Sequence, residues 1–177
     1  VLSNEQIRGT FRTQGWAHFH SVSYRILFSE PAASIRMFTD GKETPASVPS
    51  KMHSDKDLKY HFKFPVSDKP LLVKVALSPV DPDGAVKNME SELPEWDFDA
   101  TVAQSEQVWN EALNRVSMTS SDPVVMKNFY TALYHSMIAP FAYQDVDGRY
   151  LGMDKQVHTA EAGYTNYTVF SLWDTFR

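Results

Sequence analysis

The sequence contains no cysteine. Disulfides, thiolate-bound zinc and thiol catalysis are excluded on that ground, while the compartment stays open, because many secreted bacterial proteins also lack cysteine. Long apolar runs are missing too. The stretch Leu71 to Leu77 is broken by Lys74, and a bilayer span needs about 20 apolar residues, so no membrane partner is expected. Nor is there a basic stripe: 17 Lys and Arg are interspersed among 22 Asp and Glu, for a net charge of −5. Nucleic acid is therefore not an expected partner. Internal repeats and low-complexity tracts are absent. What is present is a globular composition, 42% hydrophobic and 22% charged over 177 residues, enough for one ordinary domain or two small ones. Aromatics make up 13%, a share that suits sugar contacts and β-sandwich cores alike.

The first part of the chain alternates with a period of two. Trp16, His18, His20, Val22, Tyr24, Ile26 and Phe28 share one face of an expected strand. Ile35 to Thr39 is a second, and Asp40-Gly41 supplies a tight turn after it. Residues 60–64 alternate again, as do Leu71, Val73, Val75 and Leu77, with Lys74 expected to turn outward. This pattern predicts an antiparallel sheet or sandwich. Asp81-Pro82-Asp83-Gly84 reads as a turn, Ala85 to Leu93 as a short helix, and Asp99 as the N-cap of an amphipathic helix over 100–116. Ser121-Asp122-Pro123 opens a further helix, with Pro at a position where its missing N–H costs nothing. Asp147-Gly148 reads as a hairpin turn, and Tyr164 to Leu172 alternates weakly. Strands followed by helices predict an α+β domain or a boundary near residues 94–99.

Several polar groupings have an ordinary explanation. His18 and His20 would share a strand face but lack a third metal ligand. His53, Asp55 and Asp57 lie among lysines in a polar loop. Asp81, Asp83 and Gly84 suggest a calcium loop without its closing Glu, and turn chemistry accounts for them. Asp145, Asp147 and Asp154 surround the expected hairpin, with Asp154 beside Lys155 as a local pair. Asn166-Tyr167-Thr168 has the form of a glycosylation sequon, or is simply strand. Tyr130 and Tyr134 are expected to pack helices.

The densest grouping is Ser171-Leu-Trp-Asp-Thr-Phe-Arg177. Trp173 offers a flat face for a sugar ring, and Asp174 and Arg177 offer the acceptor and donors that hydroxyls require. A buried Trp beside an Asp–Arg pair that locks a loop is the other physical reading. A sugar pocket of this kind would be completed by residues beyond Arg177, so the sequence is expected to be a piece of a longer chain.

Six segments, taken together, resemble a known family. They are Leu72-Val-Lys-Val-Ala-Leu-Ser78 with Gly84-Ala85 and Asn88; Glu92-Leu-Pro-Glu-Trp-Asp-Phe-Asp99; Val108-Trp-Asn110; Phe129-Tyr-Thr-Ala-Leu-Tyr-His135 with Pro140; Asp145-Val-Asp-Gly-Arg-Tyr-Leu-Gly152; and the closing segment to Arg177. In this order they resemble the calcium-dependent exo-α-mannosidases of glycoside hydrolase family 92.

The resemblance implies a mixed fold: a β-sandwich portion at residues 1–94, a linker helix at 95–119, and at 120–177 the start of an incomplete (α/α)6 catalytic barrel. In such enzymes the active site lies between sandwich and barrel. The implied reaction is hydrolysis of terminal α-linked mannose, with the α-1,2 linkage expected, and with inversion. Inversion requires an acid and a base carboxyl roughly 6.5–9.5 Å apart. None of the catalytic residues and none of the calcium ligands carry over onto this chain. Trp173, Asp174 and, by the weakest match, Arg177 carry over as contacts to the mannose that is cleaved. The implied partners are a mannose-bearing glycan and the remainder of the barrel, in the periplasm or outside the cell. The competing readings are a non-catalytic carbohydrate-binding module and another sandwich-plus-barrel glycosidase or phosphorylase.

Overall fold

The computed structural model describes residues 2–15, 19–44 and 57–168. The chain divides into two compact units. Unit 1 comprises Val1–Trp96 together with Asp145–Thr159; unit 2 comprises Asp97–Gln144 and Ala160–Arg177.

Unit 1 contains two three-stranded antiparallel sheets. In the first, β2 (His20–Phe28) lies between β1 (Gln6–Thr13) and β6 (Val73–Ser78). Its register places Tyr24 opposite Leu77, Ile26 opposite Val75 and Phe28 opposite Val73. In the second, β3 (Ser34–Thr39) lies between β4 (Lys42–Thr44) and β5 (Leu58–Lys63). The β3–β4 turn is the expected Asp40-Gly41, both at positive φ (49° and 72°), the backbone twist that a two-residue hairpin requires. The sheets meet through aromatics: Phe28 lies 4.8 Å from Phe62 and 5.0 Å from Phe64, ring centre to ring centre. Strand β1 was not expected, because Gly9 interrupts the apolar alternation of Ile7 and Phe11. Trp16 and His18 lie outside the described residues.

Helix α1 (Pro82–Glu92) covers the other face of the first sheet. Asp81 is its N-cap, accepting from Gly84 N, and Pro82 occupies the first turn, so the expected turn is in fact a helix start. Gly84, Ala85, Asn88 and Met89 form the buried stripe of the helix. Beneath it lie the small or polar residues Ser23, Ser78 and Lys74. The expected facing of β6 is therefore reversed. Lys74 is buried, at 8% exposure, and Val75, on the opposite face, is 54% exposed. The reversal has a physical cause. Lys74 Nζ donates to Leu93 O (2.7 Å) and Pro94 O (3.1 Å) and sits 4.4 Å from the Trp96 ring centre. Helix α1 has no basic residue in its last turn, so Lys74 brings the cation to its negative end.

The remaining strands described in unit 1 form the hairpin of β7 (Arg149–Leu151) and β8 (Val157–Thr159). Asp147-Gly148 precedes this hairpin rather than forming its turn, which runs through Gly152–Gln156 with Gly152 N donating to Gln156 O.

Unit 2 contains α2 (Phe98–Leu113) and α3 (Pro123–Met137). Asp97, not Asp99, caps α2, its carboxylate accepting from Ala100 N at 2.8 Å. Asp122 caps α3, ahead of Pro123 as expected. The helices meet where Tyr134 packs edge-on to Trp109 at 4.6 Å. Tyr130 hydroxyl accepts from Met118 N, so Tyr134 packs helices while Tyr130 ties α3 to the loop that follows α2. Within 164–168 there is one bridge, Tyr167 to Ala142, rather than a strand.

Candidate functional site

The closing residues Trp173, Asp174 and Arg177 lie outside the described residues, as do His53 and Asp55. His20 is exposed at the start of β2, and Asp57 pairs with Lys59 at 3.0 Å. Asp154 pairs with His158 at 2.9 Å rather than with Lys155, because the hairpin turn brings residues 154 and 158 together. The amide of Asn166 donates to Tyr143 O at 2.9 Å.

Among the described residues, the largest polar constellation is built on the N-terminal part of α1. Asp145 is completely buried. Its Oδ2 accepts from Ser78 Oγ and its Oδ1 from Asn88 Nδ2, both at 2.8 Å. Asn88 also donates to Leu77 O and accepts from Val146 N at 2.9 Å, so its amide orientation is fixed by three bonds. Gly148, at φ +81°, donates its N–H to Asp145 O and closes the loop. Gly84 leaves room for this carboxylate. A Cβ there would fall inside the contact distance of Asp145 Oδ2 and 2.5 Å from Ser78 Oγ.

Around this buried acid sits a charged fork. Arg149 NH1 donates to Asp81 Oδ2 at 2.8 Å and Nε to Asp147 Oδ2 at 2.9 Å, while Lys87 Nζ donates to Asp147 Oδ2 at 2.7 Å. The hydrogen bond from Lys87, followed by bonds from Arg149, lowers the Asp147 carboxyl to about 2. The hydrogen bond from Arg149 is the leading cause that lowers Asp81, and that same pairing with Asp81 raises Arg149. Both carboxyls are therefore ionised far below neutrality and neither is poised as a general acid near pH 7.

The cluster does not fit calcium either. The oxygens of Asp81, Asp145 and Asp147 already accept from N–H and O–H donors, and two cationic side chains stand beside them. Among the described residues, no three His, Cys, Asp or Glu side chains converge on a point where a metal ion could sit. The arrangement locks the 145–149 loop to the start of α1.

Sequence reading missed this cluster, since Asp145 and Asp147 were accounted for as turn residues. Its signal was present in the Asp-Pro start of α1, which demands a cap, and in the segments of the family resemblance. Ser78, Gly84, Asn88, Asp145 and Arg149 all belong to those segments, and they meet in space.

Comparison with known proteins agrees with the family resemblance. The Glycosyl hydrolase family 92 catalytic domain matches residues 84–177. A family GH92 alpha-mannosidase from Bacteroides thetaiotaomicron, BT3965, is 34% identical over 100% of this chain and 24% of its own, with a TM-score of 0.88. Its structure is also known in complex with mannoimidazole. A second protein of that organism, the inverting mannosidase BT2199, shares the fold, with a TM-score of 0.80 at 21% identity over 98% of this chain and 24% of its own. An uncharacterized secreted glycosidase of Arthroderma benhamiae is 36% identical over 74 residues, 40% of this chain and 10% of that protein. The chain thus spans about a quarter of the length of the solved structures it matches.

Proposed function

The chain belongs to glycosyl hydrolase family 92, and from that premise we propose that the protein to which it contributes is an exo-α-mannosidase that releases terminal mannose from glycans. The observation that carries this reading is the match to an alpha-mannosidase over the whole chain, at 34% identity and a TM-score of 0.88. The finer terms of the proposal are inversion at the anomeric carbon, α-1,2 linkages, a requirement for calcium, and work in the periplasm or outside the cell. The secreted relative supports the last. Helix α2 would be the linker helix and α3 the first helix of an (α/α)6 barrel.

Within this chain, Trp173, Asp174 and Arg177 would hold the mannose that is cleaved. Asp174 would accept from two adjacent hydroxyls, Arg177 would donate, and the indole would form the pocket wall. Calcium, when bound, would grip sugar hydroxyls. Its ligands would lie in the rest of the protein, outside this chain.

The test is mannose release from α-1,2-mannobiose by the whole protein, followed by proton NMR. β-Mannose should appear first. Asp174→Asn should cut kcat/KM about 10- to 100-fold, the loss of one or two charge-assisted hydrogen bonds. An enzyme that cleaves no α-mannoside would overturn the proposal, and α-mannose as the first product would overturn inversion.

A further inference from the structure

The chain crosses between its two units three times, at 96/97, 144/145 and 159/160. The first two crossings each adjoin a charged side chain buried where β6 packs on α1. At its C-terminal end Lys74 grips Leu93 O and Pro94 O beneath the Trp96 ring, just before the first crossing. Toward the middle of the helix Asp145, the first residue after the second crossing, is gripped by Asn88 and, from β6, by Ser78. Asn88 and Leu93 stand about 8 Å apart along the helix axis. Neither charge is placed there by the hydrophobic effect, and apolar residues of similar size would often be as stable or more so. What the charges add is direction, because each satisfies its partners in one geometry only.

We propose that α1 and β6 together form a two-point anchor that fixes where the chain leaves and re-enters unit 1, with Lys74 and Asp145 as positioning residues for the protein's activity. The kinetic half of this proposal rests on the mannosidase reading, since the segment that Asp145 opens runs through residue 159 into the stretch that carries Trp173 and Asp174. Displacing reacting groups by about 1 Å can cost roughly 100-fold in rate.

The anchor is tested first by hydrogen exchange in the whole protein. Lys74→Met should speed exchange of residues 93–96 about tenfold or more and leave 145–159 unmoved; Asp145→Asn should do the reverse. Ser78→Ala, a milder change, should act at 145–159 in a smaller degree and keeps the test available if Asp145→Asn does not fold. Uniform acceleration throughout unit 1, or none, overturns the anchor. The second test is kinetic, in the whole protein and per folded molecule. Each variant should lower kcat on an α-mannoside about 10- to 100-fold at temperatures well below its melting point. A wild-type kcat in folded variants overturns the positioning role. A wild-type protein inert on every α-mannoside overturns the mannosidase reading instead, and the exchange result then decides the anchor by itself.

Discussion

Gly84 stands where two opposing effects can be weighed. Replacing a helical Gly by Ala removes backbone freedom from the unfolded chain and is worth up to about 1 kcal/mol in favour of the variant. Gly84 lies in the first turn of α1, has no positive φ, and so would accept Ala on conformational grounds. Against this stands the space taken by Asp145. The new Cβ would lie 2.5 Å from Ser78 Oγ and inside contact with the carboxylate, so the carboxylate must withdraw by roughly 1 Å, the overlap that close packing does not absorb. That movement strains or breaks the bonds from Ser78 and Asn88 to a buried charge, and hydrogen bonds to charged groups are worth about 1.5–3 kcal/mol each. The second effect is larger. Gly84→Ala should destabilise unit 1 by about 2 kcal/mol, a fall of roughly 10 °C in melting temperature. Urea and thermal unfolding followed by circular dichroism measure it. Gly15, where an added Cβ meets nothing within 4 Å, is the control: Gly15→Ala should stay within about 0.5 kcal/mol of wild type. A Gly84→Ala variant as stable as wild type would show that the carboxylate is free to move and that the lock is loose.

The Asp147 carboxyl provides a pH signature. Its folded value of about 2 lies below its ordinary 3.8, so it contributes stability that is complete above 3.8 and is lost as pH falls toward 2. Urea midpoints measured across that window should decline in wild type and decline less in Asp147→Asn, and added salt should weaken the difference because the pairs with Lys87 and Arg149 are partly exposed. For the proposed calcium requirement, excess EDTA should abolish α-mannoside hydrolysis by the whole protein and added calcium should restore it; turnover unaffected by the chelator would remove calcium from the proposal.

The strands and helices were legible wherever one face of an element is apolar and the other polar. β5 alternates half-buried and exposed residues from Leu58 to Lys63, and its pattern gave its place directly. The Asp-Pro pair before α3 fixed that helix start, because a cap and a first-turn proline admit one arrangement. β6 misled for a tertiary reason: alternation fixes which residues share a face but not which face a helix will cover. Lys74 faces inward because the carbonyls at the end of α1 need a cation, and nothing in the strand's own sequence states that. The same limit applies to Asp145. An Asp-x-Asp-Gly run has a sufficient local explanation in turn chemistry, and the partners that make Asp145 a core residue lie 57 and 67 positions away.

The charged fork on α1 also constrains where the chemistry can reside. An inverting glycosidase needs one carboxyl that stays protonated near neutrality and another that stays ionised across a gap wide enough for water. Protonation near pH 7 calls for burial without a cationic partner, or for a neighbouring carboxylate. Asp81 and Asp147 have the opposite surroundings, since Arg149 lies between them and Lys87 adds a second cation to Asp147. Asp145 is sealed from solvent, with both oxygens accepting from Ser78 and Asn88 and the Arg149 guanidinium 4.0 Å away, so neither a substrate oxygen nor a water can reach it while the fold is intact. The three acids that stand closest together here are thus unsuited to acid–base work for the very reasons that suit them to holding a loop on a helix. The acid and base of the proposed reaction must be carboxylates other than these three, and the contribution proposed for α1 is one of placement.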